Sequence, residues 1–148
     1  MTENRTDLQT DRRTATSTPA PQVWPALRAR NARGLIDFLT TAFDFRVVTV
    51  HGDGDRVEHA ELAGPAGGGV MLGSVRDDPE DRWPVPPGSG SVYVVVDDVP
   101  ALHRRAAVAG AEILEAPVER DYGSTEFTAR DPEGNLWSFG TYRGADWS

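Results

Sequence analysis

The feature that most constrains this chain is an internal repeat with an offset of 67 residues. Segment 63–74, AGPAGGGVMLGS, aligns with segment 130–141, RDPEGNLWSFGT, and the same offset pairs Leu35 with Leu102. The prolines and glycines of the two segments coincide at Pro65 and Pro132, Gly67 and Gly134, and Gly73 and Gly140. Because chance matches would scatter over many offsets, we interpret the pattern as a duplication. A duplication of this length predicts two copies of one supersecondary unit.

Each half has the pattern of a strand, a helix and three further strands. The first half predicts a strand near 23–30, a helix over 32–43, and strands near 45–51, 56–63 and 69–75. The second half predicts a strand over 91–97, a helix that ends at Gly110, and strands near 111–116, 124–130 and 136–143. Asn31 and Asp98 are suited to cap the two helices. The predicted fold class is therefore α+β, with two tandem β-α-β-β-β modules.

The domain organisation follows from composition along the chain. Residues 1–21 are rich in Thr and poor in large aliphatic side chains, so we expect a disordered N-terminal tail. A single domain is predicted over 22–146, with module one at 22–75, a Pro-rich linker at 76–90 that contains Trp83, and module two at 91–146. Arg12 and Arg13 are not followed by an apolar segment, so we reject a twin-arginine signal and expect a cytoplasmic location.

The composition excludes several classes of function. The chain has 148 residues and no cysteine, which excludes disulfides, thiolate catalysis and cysteine metal sites. All 15 basic residues are arginine, so lysine Schiff-base chemistry is excluded as well. A net charge of −8 without a basic cluster argues against nucleic acid as a partner. No apolar run approaches the ~20 residues of a membrane span, so a membrane partner is not expected.

Alternation along the strands separates two faces of each module, because successive strand side chains point to opposite sides. One face is almost wholly apolar and is expected to lie under the helices: Leu27, Ala29, Val70, Leu72, Val92, Val94, Val96, Trp137 and Phe139. The other face mixes aromatic, thioether, hydroxyl, imidazole and carboxylate groups: Trp24, Ala26, Arg28, His59, Glu61, Met71, Gly73, Ser91, Tyr93, Glu126, Thr128, Ser138 and Gly140. This mixture is typical of a ligand cavity with a few orienting polar groups. The alternative is an ordinary solvated sheet face with scattered aromatic residues.

The repeat and its motifs resemble the vicinal-oxygen-chelate superfamily, which includes glyoxalase I, extradiol dioxygenases and bleomycin-resistance proteins. The resemblance spans about residues 23–143 and is carried by ARNARGLIDFLTTAFDFRVV, EHAEL, VYVVVDDVPALHRRAAVAGAEIL and DYGSTEFTARDPEGNLWSFGTY. The bleomycin-resistance and PhnB-like branches are the most similar. The resemblance implies a curled mixed sheet around a cleft, and a homodimer.

The resemblance also implies where a metal would lie. In the metal enzymes of this superfamily, His, Gln or Glu ligands come from the first and fourth strands of each module. Those positions are Trp24, Met71, Ser91 and Ser138 here, and none of them is a suitable ligand for a divalent ion. We therefore expect no metal and no cofactor at this site. This departure favours the ligand-binding branch over glyoxalase or dioxygenase chemistry.

A pair of titratable residues leaves an enzyme as the alternative function. His59 and Glu126 are also separated by 67 residues, and we expect them to face each other across the cleft, where they are the catalytic candidates for general acid–base chemistry. The alternatives are a structural hydrogen-bonded pair and a displaced metal site formed by His59, Glu61 and Glu126. Tyr122 either gates the cleft or packs at its rim. His103 is expected on the solvated side of the second helix.

The sequence thus predicts a small-molecule-binding protein that sequesters a planar or aromatic compound, such as an antibiotic, without turnover. The alternative is a vicinal-oxygen-chelate enzyme, a lyase, isomerase or dioxygenase, with a metal-free or displaced metal site. The candidate ligand-binding residues are Trp24, Arg28, His59, Met71, Trp83, Ser91, Tyr93, Tyr122, Glu126 and Ser138. Because Glu61 and Glu126 are acidic, we expect a neutral or cationic ligand.

Overall fold

The elements follow the predicted order in both halves. The computed structural model describes residues 19–148, so the predicted tail falls mostly outside the described residues. Module one contains β1 (Ala26–Ala29), α1 (Ala32–Phe43), β2 (Arg46–Asp53), β3 (Arg56–Ala63) and β4 (Gly69–Ser74). Module two contains β5 (Ser91–Val95), α2 (Val99–Val108), β6 (Glu112–Glu119), β7 (Thr125–Arg130) and β8 (Leu136–Gly140). The two-module α+β fold is confirmed.

Local sequence explains where α1 begins and ends. The Asn31 side chain accepts a hydrogen bond from the Gly34 amide at 3.0 Å, which satisfies one of the free donors of the first turn. A Cβ at Gly34 would lie only 2.5 Å from Asn31 Nδ2, so the capping side chain would have to shift if a larger residue stood there. Asp44 ends the helix in the left-handed conformation, with φ at 63°.

Helix α2 begins in the same way. The Asp98 carboxylate accepts a hydrogen bond from the Ala101 amide at 3.0 Å, and Pro100 lies in the first turn, where its missing N–H is not needed. Both predicted helix caps are therefore confirmed. No helix within residues 19–148 is long and apolar enough to span a membrane.

The strands form two separate four-stranded sheets, where the sequence analysis expected one curled sheet. Their orders are β1-β4-β3-β2 and β5-β8-β7-β6. In each sheet the first strand pairs parallel with the last, and the registers correspond, because Ala26 pairs with Met71 and Tyr93 pairs with Ser138. Residues separated by 67 positions in the sequence therefore occupy equivalent positions in the two sheets.

The two modules share one hydrophobic core. The last residue of α1 and the second residue after the helix contact β8 of the other module. Phe43 packs on Phe139 with ring centroids 4.6 Å apart, and Phe45 lies edge-on to Trp137 at 5.6 Å. Trp137 and Phe139 are fully buried. The apolar strand face predicted from alternation is thus the buried face, and it lies against both helices.

A polar contact also joins the modules. The carboxylate of Glu133, in the turn between β7 and β8, accepts hydrogen bonds from the amides of Arg30 and Asn31 at 2.7 and 2.9 Å. These amides stand at the N-terminal end of α1, where a negative charge is favourable. Module two therefore supplies part of the cap of the module-one helix.

The turn before β8 is organised by a single buried carboxylate. Asp131 is only 4% exposed and accepts five hydrogen bonds. Three come from the amides of Glu133, Gly134 and Asn135, one from the Asn135 side chain, and one from the indole of Trp137 at 2.9 Å. The sequence patterns predict the strands on either side of this segment but not this set of hydrogen bonds.

The expectation for His103 was wrong. Its side chain is partly buried, and its ring meets the ring of Phe127 edge-on at a centroid distance of 5.3 Å. Leu102 and Ala106 carry the main contact of α2 with the core, and His103 lies at the margin of that contact. The solvated face of α2 begins at Arg104.

Candidate functional site

The mixed face of module one forms an open cavity of about 370 Å³. Five of the predicted ligand-binding residues line it: Trp24, Arg28, His59, Met71 and Trp83. Strand pairing explains their convergence, because Arg28 pairs with Gly73 on the parallel strand and Glu61 pairs with Met71 on the antiparallel strand. Gly73 is needed between them, since a Cβ there would lie 3.1 Å from the Glu58 carbonyl.

Trp24 is held in a fixed orientation at one wall of this cavity. Its indole N–H donates a hydrogen bond to the Pro21 carbonyl at 3.0 Å. Its ring lies over Gly69, where a Cβ would come within 2.6 Å of the indole. Residues 19–21, which the sequence assigned to the tail, line a second groove beside the same indole. The described end of the tail therefore helps to orient this aromatic side chain.

Arg28 is the most unusual polar group of the cavity. Its Nη1 donates to the Ser74 carbonyl at 3.4 Å, the long end of the hydrogen-bond range. Its Nη2 lies 3.9 Å from an Asp81 carboxylate oxygen, too far for a direct hydrogen bond. Its Nε is buried and has no hydrogen-bond partner within residues 19–148. The Arg28 and Asp81 side chains are only 12% and 11% exposed.

The linker folds back over this cavity. The Asp81 carboxylate accepts a hydrogen bond from the Trp83 amide at 3.0 Å, so the position of one side chain is coupled to the other. Trp83 lines the cavity of its own chain and stays 55% exposed. Trp83 was predicted from the sequence as a ligand-binding residue, whereas Asp81 was not, because nothing in the local pattern places Asp81 opposite Arg28.

His59 is occupied by a neighbour on its own strand. Its Nε2 lies 2.8 Å from a Glu61 carboxylate oxygen, and its ring stacks on His51 at a centroid distance of 6.4 Å. Glu126 does not join this group, and no set of three His, Asp or Glu side chains within residues 19–148 is placed to hold a metal ion. The structure thus brings His59 and Glu61 together but does not add Glu126.

The mixed face of module two is built around Glu126. This carboxylate is 8% exposed, accepts a hydrogen bond from the Tyr122 hydroxyl at 2.7 Å, and lies 3.4 Å from Arg120 Nε. Burial alone would raise the pKa of Glu126, but the hydrogen bonds from Tyr122, Ser124 and Arg120 outweigh it and lower the pKa. The same hydrogen bond raises the pKa of Tyr122.

Tyr93 completes this second cluster. Burial raises its pKa, and its hydroxyl donates to the Tyr142 carbonyl at 2.7 Å. Gly140 makes room for the cluster, since a Cβ there would lie 2.5 Å from the Tyr93 hydroxyl and 2.8 Å from Glu126 Cγ. Ser138 pairs with Tyr93 across the sheet, whereas Ser91 is exposed at the start of β5.

The predicted site residues therefore fall into two groups, one on each module. None of the residues that line the Trp24 cavity comes from module two. Tyr93 lines a different groove of about 380 Å³, together with Val23, Pro25 and the glycines of the β3–β4 turn. Within the part of the chain that the structure describes, no hydrogen bond joins His59 to Glu126.

The positions implied as metal ligands do not fit a divalent ion. The indole N–H of Trp24 is a donor and is already bonded to Pro21, and the thioether of Met71 is a soft ligand. Ser91 and Ser138 offer only neutral hydroxyls. Carboxylate, imidazole and thiolate groups, which zinc and related ions prefer, are absent from all four positions. The donor chemistry therefore supports no metal-dependent step at this site.

Comparison with known proteins agrees with the observed fold. The profile of the Glyoxalase/Bleomycin resistance protein/Dioxygenase superfamily matches residues 22–139. A comparison with curated protein sequences gave no match. Among solved structures, TioX from Micromonospora sp. ML1 is 26% identical with a TM-score of 0.69, and the match covers 82% of this chain and 98% of that one.

Two further structures share the fold. A glyoxalase/bleomycin resistance protein from Streptomyces sp. CB03234 is 19% identical, with a TM-score of 0.60 and coverage of 77% of this chain and 94% of that chain. A glyoxalase I variant from Zea mays is 20% identical, with a TM-score of 0.62, and the match covers 80% of this chain and 44% of that one. At these identities the likeness shows the fold alone.

Proposed function

The chain belongs to the Glyoxalase/Bleomycin resistance protein/Dioxygenase superfamily, and from that premise we propose that it binds a planar organic molecule and releases it unchanged. Within the superfamily, this places it with the bleomycin-resistance type, a role in which an antibiotic or similar compound is sequestered. The cavity of module one is the proposed binding site.

One observation carries this proposal, namely the lining of the module-one cavity. Two indoles and a thioether, those of Trp24, Trp83 and Met71, form much of its wall. Its volume of about 370 Å³ lies within the ordinary range of small-molecule sites. Stacking on an aromatic wall adds roughly 0.5–1.5 kcal/mol beyond the burial of apolar area, which favours flat guests.

Release without turnover is proposed because the cavity offers few groups for chemistry. A general base needs a free position within hydrogen-bond reach of the substrate. The imidazole of His59 lies in the cavity wall, and because its Nε2 is paired with Glu61, its Nδ1 is the ring nitrogen left for proton transfer in the enzyme alternative. The four positions implied as metal ligands carry no suitable donor set. This second point supports binding over metal-dependent catalysis.

The proposal also includes a homodimer. Each sheet has two edge strands, and unpaired edges tend to be covered in native proteins. The edge strand β2 exposes Val47 and Val48, and two-fold pairing is the commonest way to cover such a surface. Light scattering at tens of micromolar, a range that retains dimers with a dissociation constant of about 1 μM, tests this part. A cytoplasmic location, and no nucleic-acid or membrane partner, complete the proposal.

Calorimetric titration with a panel of planar aromatic compounds tests the binding function. Trp24→Ala is expected to weaken the binding of a compound from this panel by about tenfold or more, the usual scale for an aromatic anchor. Trp147→Ala is the matched control, because Trp147 is 97% exposed near the C-terminus and is not part of the cavity. Equal affinities for the two variants and the wild type would overturn the proposed site.

Mass spectrometry of the recovered compound separates binding from catalysis. The compound is expected to return unchanged after prolonged incubation with the protein. A modified product that depends on His59 would instead support the enzyme alternative, a metal-free member of the superfamily. Loss of that product in His59→Gln, with binding retained, would identify His59 as the catalytic group.

A further inference from the structure

The guanidinium of Arg28 is left with unused hydrogen-bonding capacity in the proposed binding site. A guanidinium presents five N–H groups in a fixed planar fork. Nε–H and one N–H of Nη2 point the same way and form the edge that binds a carboxylate with two parallel hydrogen bonds. Within residues 19–148, Nε has no hydrogen-bond partner, and the nearest carboxylate oxygen to Nη2 is that of Asp81 at 3.9 Å.

Such an arrangement is costly for a buried cation. Both Arg28 and Asp81 are nearly nine-tenths buried, so water does little to compensate for their long separation. A buried donor without a partner is unfavourable, because it has lost its hydrogen bonds to water and gained none in the protein. An anionic group that reached both Nε and Nη2 would recover this energy, whereas Asp81 in its present position does not.

The segment that carries Asp81 is weakly attached to the rest of the protein. Within residues 19–148, every hydrogen bond made by residues 77–85 joins two atoms of the linker itself, as in the bond from the Asp81 amide to the Asp78 carbonyl at 3.0 Å. The Arg28–Asp81 charge pair and the side chain of Trp83 hold the segment against module one. Segments with so few outside contacts open at a small free-energy cost.

We propose that the cavity takes an aromatic carboxylate, whose two oxygens bind the Nε and Nη2 edge of Arg28, and that Asp81 partly occupies this edge until the ligand displaces it. The inference rests on the proposed binding function and specifies the ligand class for it. The aromatic body of the ligand packs on Trp24 and Met71. Because the Trp83 amide is bonded to Asp81, displacement of the carboxylate also moves Trp83.

This inference replaces the expectation of a neutral or cationic ligand. That expectation rested on Glu61 and Glu126, but Glu61 is paired with His59, and Glu126 lies in the cluster of module two. The other charged side chains that line the cavity are those of Arg76 and Glu58. Glu58 is itself paired with Arg56 at 2.5 Å and lies 3.7 Å from Arg76. Arg28 differs from Arg76 in its burial and in its buried Nε without a hydrogen-bond partner within residues 19–148, and it is therefore the cation assigned to the anion.

The test uses three planar acids of increasing size, benzoate, 2-naphthoate and 9-anthracenecarboxylate, each compared with its primary amide by calorimetric titration. The amide matches the shape of the acid but lacks its charge. We expect the best acid to bind the wild type at least about fivefold more tightly than its amide, since charge-assisted bidentate bonds are about twice as strong as neutral ones. Arg28→Met is expected to remove this preference, and Arg28→Lys to reduce it, because lysine lacks the planar edge.

Asp81→Asn distinguishes displacement of the linker from simple attraction. It is expected to raise the affinity for the acid by about fivefold or more and to leave the amide within about twofold, because only the acid competes with Asp81 for Arg28. Glu80→Gln is the matched control. It makes the same change in net charge one residue away, at an exposed side chain. Long-range electrostatic effects are therefore nearly equal in the two variants.

Each outcome decides the matter. Equal binding of acids and amides by the wild type and Asp81→Asn would overturn the inference, as would equal effects of Asp81→Asn and Glu80→Gln. Failure of all three acids to bind either protein would overturn it as well. If the amides bind and Trp24→Ala weakens them, the inference fails while the proposed binding function stands. If no planar compound binds, both fail.

Discussion

The two modules have the same fold but differ in how their polar groups are satisfied. In module two the buried carboxylate of Glu126 has a close partner in Tyr122 at 2.7 Å, and the Tyr93 hydroxyl has one in the Tyr142 carbonyl at 2.7 Å. In module one the buried guanidinium of Arg28 has only long contacts. The position equivalent to Arg28 in module two is Val95, whose side chain has no polar atoms that need hydrogen-bond partners.

The turn between the last two strands is also more fully hydrogen-bonded by a side chain in module two than in module one. In module two the turn closes around Asp131, which accepts five hydrogen bonds. The equivalent residue in module one is Gly64, whose amide bonds to the Gly68 carbonyl at 3.0 Å with no side chain at the centre. After the duplication, Asp131 and Glu126 of module two are thus held by short hydrogen bonds, whereas Arg28 of module one is not.

The largest effect that this comparison predicts is on stability in module two. Asp131→Ala removes the acceptor of five donors, most of them buried, and is expected to lower the free energy of unfolding by about 3–5 kcal/mol. Thermal unfolding should show a fall in Tm of roughly 10 °C for a chain of this size. Asp121→Ala, at an exposed loop position, is the control, and a change above about 0.5 kcal/mol there would count against the interpretation.

A smaller effect is expected at the equivalent positions Glu126 and His59. Glu126→Gln should cost about 1 kcal/mol at about pH 7, because a charged acceptor becomes a neutral one. His59→Gln should cost less than about 0.5 kcal/mol, since the His59 side chain is 42% exposed. Denaturant unfolding of both variants measures the difference. Equal costs would remove the contrast between the two faces.

The Glu126 variant also has a predicted pH dependence. The folded state lowers the pKa of Glu126, so its carboxylate adds stability above the pKa of the unfolded chain, and this contribution is lost as the pH falls through the lower folded value. Glutamine does not titrate. The wild type should therefore lose its advantage over Glu126→Gln between about pH 5 and pH 3, around the ordinary glutamate pKa of about 4.3. An advantage that grew in acid would contradict the assignment.

The smallest expected effect concerns ligand binding at module two. Tyr93→Phe should change the affinity for a planar compound by less than about twofold. Tyr93 does not line the Trp24 cavity, and residues away from the centre of a binding site contribute little to affinity. Calorimetry with the compound that binds the wild type gives the value. A loss comparable to that of Trp24→Ala would mean that the faces of two modules meet over one ligand, as a homodimer could arrange.

Local sequence was sufficient to predict most of the fold. The range of α1, the cap at Asn31 and the strand β3 at 56–63 agree with the structure, since each depends on nearby residues. The buried strand faces followed from alternation alone. The division into two sheets did not follow, because alternation says nothing about which edges pair.

The site was harder to predict, because its decisive contacts join distant residues. Trp24 and Met71 line the same cavity, and the pairing of Ala26 with Met71 on the parallel strand brings them together. Asp81 lies near Arg28 because the linker folds back over module one. The linker has no periodic pattern from which this fold could be predicted. For Asp131 a signal did exist, since an aspartate followed by glycine at the third residue is typical of a side-chain-capped turn.

The contact of Glu133 with the start of α1 has a consequence for how the protein can be divided. A fragment that ends within the linker would keep every strand of its sheet but lose the carboxylate on the Arg30 and Asn31 amides and the aromatic partners of Phe43. We therefore expect two fragments cut in the linker to fold well only in each other's presence, so that recovery of structure on mixing would report their association.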